Sequence, residues 1–134
     1  MRMLFFAHSG LRYLVLLVAA VTLLYLVYAV VTGKGSGRVS RILGSSFAGV
    51  LDLQVLLGVF MVAFGVYYPA LLGHIFMMIG AAVVAHVAMA MAKTSPPDRT
   101  DKVRLLGVVV AILLVVGGVM SIGRSLFESG PPPM

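Results

Sequence analysis

Cysteine is absent from the 134 residues, and only four residues are acidic. Without thiols the chain has no disulfides, no iron–sulfur cluster, no thiolate zinc site and no covalently attached c-type haem. This absence leaves the compartment open. Charge of both signs is also scarce: 10% of residues are charged and 61% are hydrophobic. A soluble domain carries about 25% charged residues, so the deficit places the chain among integral membrane proteins. The length allows one compact unit, over residues 1–128, followed by a loose tail at 129–134. The net charge of +6 has no basic stripe with interleaved aromatics, which argues against nucleic acid. Its lysines and arginines sit in short polar breaks between apolar runs, where such residues set membrane orientation.

A spanning helix needs about 20 mostly apolar residues. Four segments qualify: 4–32, 46–68, 69–92 and 103–127. The apolar run at 13–31 is too long for a signal-peptide core and has no good cleavage pattern after it, so it reads as a membrane helix. The first break holds Lys34, Arg38 and Arg41, and the third holds Lys93, Arg99, Lys102 and Arg104. The second, around Tyr67, Tyr68 and Pro69, has no charge. The positive-inside rule then makes both basic loops cytoplasmic and both termini external. Short connections make successive helices antiparallel neighbours, so the expected fold is an all-α, up-down four-helix bundle in a bacterial plasma membrane.

That direction converts the polar residues into a depth map. Residues 73–86 read GHIFMMIGAAVVAH, with His74 and His86 twelve residues apart in an apolar run. At about 1.5 Å per residue they are roughly 18 Å apart in depth. His8, Arg12, His74 and Arg124 fall in an outer polar layer. Asp52, Gln54 and His86 fall in an inner one. Ionisable groups within a membrane usually face the bundle interior and mark a site.

Histidines at one depth on two helices are the arrangement that a bis-histidine b-type haem requires. Each imidazole gives one nitrogen to the iron and uses the other to fix its orientation. His8 and His74 meet that requirement if the first and third helices lie diagonally across the bundle. Arg12 follows His8 by four residues, hence on the same helix face. With Arg124 it could meet the haem propionates bidentately. Gly10, Gly58, Gly80, Gly117 and Gly118 are candidates to lie beside a flat macrocycle.

Simpler roles stand beside these. His8 and His74 could touch water or headgroups at the interface, and Arg12 and Arg124 could snorkel to headgroups. His86 could cap carbonyls, meet Asp52, hold a second haem, or share a quinone or proton site with Asp52. Gln54 is turned by about 200° from Asp52 and should not face the same way. Met77, Met78, Met89 and Met91 read as packing. The first two, beside His74, are the only hint of a soft copper site.

The opening HSGLRYLVLL (8–17), the stretch DLQVLLG (52–58), and GHIFMM followed by AHVAMAMAK (up to Lys93) resemble a group of small bacterial four-helix membrane proteins labelled cytochrome b-like. More distantly, the order is similar to one half of haem A synthase. The resemblance covers nearly all of residues 5–125, and its most specific part is the His8–Arg12 opening. It implies haem b ligated by His8 and His74. Where this chain has Asp52, relatives often have a histidine, so a second haem at His86 is not implied. Ala7 precedes His8, so the synthase's glutamate–histidine motif is absent and haem A synthesis is not expected.

These residues lead to an electron-transfer reading. The chain would be a membrane b-type cytochrome passing electrons between a quinol and an external acceptor, alone, as a homo-oligomer, or as a subunit of a respiratory complex. The alternatives are a haem-free structural or assembly subunit and a protein that handles copper or haem as cargo.

Overall fold

A computed structural model describes residues 2–123. Arg124, the expected end of the fourth helix and the 129–134 tail lie outside the described residues. Four helices account for nearly all of the described chain: α1 (Arg2–Thr32), α2 (Gly37–Ala63), α3 (Leu71–Thr94) and α4 (Thr100–Met120). All four are long and apolar enough to cross a membrane, as expected of a multi-pass membrane protein. A helix satisfies every mid-chain N–H and C=O internally, which hydrocarbon demands. The shortest, α4, has 21 residues and so extends about 32 Å, close to a bilayer core of about 30 Å.

Three boundaries differ most from the sequence expectation: α4 stops at Met120, ahead of the expected 127, and both ends of α2 move. α2 begins nine residues earlier, at Gly37, where Ser36 caps it by accepting a hydrogen bond from the Val39 amide at 3.4 Å. The polar first turns are good helix but not hydrophobic, so a count of apolar residues misses them. α2 also ends early, at Ala63. Gly65 takes φ +96°, and the Val66 amide bonds back to the Met61 carbonyl at 3.0 Å. This left-handed stop is the usual role of glycine at a helix C-terminus. At the other end, Gly33 (φ +68°) closes α1, and Tyr25 Oη accepts from the Ser36 amide at 2.7 Å, pinning the first loop to α1.

The helices form a ring in which α1 packs on α2 and α4, and α3 packs on α2 and α4. α1 and α3 stand on one diagonal without packing on each other, whereas α2 and α4 touch across the other. The most extensive interface, α3 on α4, is made by small residues. Ala81, Ala85, Ala88 and Ala92 are all buried on one face of α3, opposite Gly107 and Ala111 of α4. A Cβ at Gly107 would collide with that of Ala88. In lipid, helix association depends on such close packing, because hydrocarbon offers no hydrophobic drive between helices. Phe47, Leu26, Leu51 and Val108 fill the wider parts of the core.

Candidate functional site

The open diagonal leaves a cavity of about 370 Å³ at the end of the bundle that carries the Tyr67–Pro69 turn. All four helices contribute to its largely apolar wall, and its polar groups include His8, Arg12, Gln54 and His74. His8 and His74 face each other there with ring centroids 6.5 Å apart and ring planes at 80°. Each ring is seated beside a glycine of a neighbouring helix. A Cβ on Gly58 would come within 3.2 Å of His8 Cε1. One on Gly118 would collide with the Met78 methyl and lie 3.7 Å from His74 Nδ1. Two of the five glycines singled out in the sequence therefore make room for the imidazoles.

His74 Nδ1 donates to the Gly118 carbonyl at 2.9 Å. A carbonyl can only accept, so Nδ1 carries the proton and Nε2 keeps its lone pair. Ser121 Oγ donates to the same carbonyl at 2.7 Å, which fixes the acceptor. His8 is held by its backbone: Gln54 Nε2 donates to its carbonyl at 2.8 Å. The ring nitrogens are left without a strong bond, since Nε2 has only the 3.5 Å approach of Gln54 and Nδ1 is buried with no partner among the described residues. Gln54 Oε1 is likewise buried and unpartnered. Arg12 is 8% exposed and stacks on Tyr13, its Cζ 5.1 Å from that ring centroid.

Gln54 thus belongs with His8, not with an inner layer. The earlier start of α2 shifts the whole helix in register, so that Gln54 reaches the level of α1's second turn. The expectation that Gln54 turns away from Asp52 does hold: Gln54 is buried and Asp52 exposed.

The structure brings Asp52 and His86 together. His86 Nε2 lies 2.7 Å from Asp52 Oδ2 and 2.9 Å from Oδ1. The pair does not face the bundle interior, as membrane ionisable groups usually do. The side chains of His86 and Asp52 are 58% and 47% exposed, on the outer face of the α2–α3 contact. Asp52 is the sixteenth of α2's 27 residues, about 22 Å from its first. The pair therefore sits in the middle part of the span rather than at an inner edge.

Sequence reasoning missed Arg104, read there only as a loop charge. It is 6% exposed, and its Nη1 donates to Asp101 Oδ1 at 3.2 Å. The i, i+3 spacing of Asp101 and Arg104 was the available signal. Thr22 was missed as well; it is fully buried and bonds the Leu43 carbonyl across helices at 3.3 Å.

Two histidines suit a cofactor that brings most of its own metal ligands better than a bare ion. Among the described residues no group of three or more His, Cys, Asp or Glu side chains could hold a metal. His74, with Nδ1 committed to Gly118, and His8, with Nδ1 unpartnered among the described residues, are the two side chains here that could each give a nitrogen to such a cofactor. Met78 is buried in the packed core and lines the same cavity as His74, with its methyl beside Gly118. No protein-family model, curated protein or solved structure matches this chain.

Proposed function

We propose that the chain is a small membrane b-type cytochrome of a bacterial plasma membrane, with one haem b between α1 and α3. The observation that carries this reading is the His8–His74 pair, 6.5 Å apart across the one diagonal where helices do not pack. His8 and His74 would hold the haem iron. Arg12, buried one turn from His8 in the same cavity wall, would hold a propionate. Bound there, haem b supplies one-electron transfer with little rearrangement and no open coordination position. The chain's own part is to fix His74 through Gly118, to hold the α1 backbone through Gln54, and to exclude water with an apolar wall.

Electrons would come from a membrane quinol. Asp52 and His86 support this: they present a carboxylate and an imidazole to the lipid side, where a quinol dissolves. Together they would orient a quinol hydroxyl and take one of the two protons it loses; the other would leave to water, and the two electrons, one at a time, to the external acceptor. An external acceptor or a larger respiratory assembly would be the destination. The deciding experiment is the reduced-minus-oxidised optical spectrum of the purified, haem-loaded chain. A six-coordinate low-spin b-type spectrum is expected. A chain that folds and takes up no haem supports the structural-subunit reading instead.

A further inference from the structure

At the opposite end of the bundle the two basic loops enclose a second cavity, of about 470 Å³. Its wall combines the first loop and start of α2 (Gly33, Gly35, Gly37, Arg41) with the third loop and first turn of α4 (Asp98, Thr100, Asp101, Lys102, Arg104). Three cations, two carboxylates and the N-termini of two helices therefore meet at one concavity. The geometry points to a binding site for a phosphate-class anion, either the headgroup phosphate of an anionic phospholipid or a soluble phosphate.

The charges are not cancelled internally. Asp101 is committed to Arg104. No ion pair among the described residues engages Arg41 or Lys102, both of which are exposed at the rim. Arg104 is itself 6% exposed and gives one N–H to Asp101, while a guanidinium carries five donors. The backbone adds to the same field. The Val39 amide is taken by Ser36 Oγ and the Thr100 amide by the Pro96 carbonyl; the other first-turn amides lack intrahelical acceptors and carry partial positive charge. At Gly37 a Cβ would meet nothing within 4 Å, so the main chain there is open to a ligand, whereas Gly33 gives its N–H to the Ala29 carbonyl and Gly35 packs on Ala29. Basic pockets between spanning helices on the side of the positive loops take anionic headgroups. Nothing in this site depends on the haem reading, because the two cavities share no residue.

The test uses the full chain, purified and stripped of lipid, with binding followed by native mass spectrometry and thermal unfolding. Phosphatidylglycerol, phosphatidylcholine and inorganic phosphate are the three probes. Phosphatidylglycerol is expected to bind at least tenfold more tightly than phosphatidylcholine. Arg41→Gln combined with Lys102→Gln should remove that preference. Lys34→Gln combined with Arg38→Gln removes the same charge from the same face but outside the cavity, and should leave the preference within about twofold. Stabilisation by inorganic phosphate that is lost in the Arg41/Lys102 variant assigns the site to soluble phosphate and supports it equally. Equal losses in both double variants, or no preference for either anionic probe in the unaltered chain, overturn the proposal. Helix content and unfolding temperature without lipid identify a variant that has failed to fold. In that event Lys102→Gln alone is read against the same thresholds.

Discussion

His86 Nε2 and Asp52 Oδ2 are 2.7 Å apart on neighbouring helices, and both side chains point away from the bundle. The imidazole nitrogen reaches both carboxylate oxygens, at 2.7 and 2.9 Å, and so ties α2 to α3. Asp52→Asn keeps the shape and the hydrogen bonding while removing the charge. It should slow quinol-driven haem reduction at least tenfold with the haem spectrum unchanged. Stopped-flow reduction by a short-chain quinol is the measurement. Wild-type rates in both Asp52→Asn and His86→Gln would show that the pair only joins two helices.

His8→Ala and His74→Ala should each abolish the low-spin spectrum, since each would remove one of the two side chains proposed to hold the haem. His86→Ala should leave it intact, because His86 meets Asp52 on the outer face and does not line the cavity. Absorbance and haem-to-protein ratio after purification are the readouts. Full haem retention in the His8→Ala, His74→Ala double variant would remove the assignment.

Gly107 and Gly10 should respond oppositely to alanine. A Cβ at Gly107 collides with that of Ala88 on the tightest interface, whereas at Gly10 it meets nothing within 4 Å. Gly107→Ala should destabilise by about 1–3 kcal/mol through overpacking. Gly10→Ala should be neutral or stabilise by up to about 1 kcal/mol through helix propensity. Unfolding in mixed micelles compares the two.

Reporter insertions after Gly35 and after Asp98 should both read as cytoplasmic, and one after Val66 as external. The first and third breaks hold seven lysines and arginines, and the Tyr67–Pro69 turn holds none. Periplasmic reporter activity at either basic loop would invert the depth order of both sites.

The fold was legible because hydrocarbon permits so few structures: four long apolar runs leave little choice but four helices. Helix ends were less legible. Ser36 and Gly65 set them by local backbone geometry, to which an average over 20 residues is blind. His8, Arg12 and His74 could be grouped from depth alone, since depth follows from residue number. Facing directions could not. Gln54 was assigned to the wrong layer because that assignment depended on where α2 starts. The outward orientation of Asp52 and His86 depends on how α2 and α3 are rotated about their axes, and an apolar sequence with no polar stripe gives no sign of that rotation. Arg104 went unread because a basic residue at a loop edge looks the same whether it is buried or not.

The cavity around His8 and His74 draws on all four helices, while the most extensive interfaces join α1 to α2 and α3 to α4. Each hairpin can thus enter the bilayer as a unit, and neither contains the site. His8 leaves the ribosome long before His74 exists to face it, and the Gly118 carbonyl that orients His74 is made later still. The pocket comes into being only when the second hairpin docks on the first. A group bound there would touch both hairpins at once and so tie the two halves of the chain together.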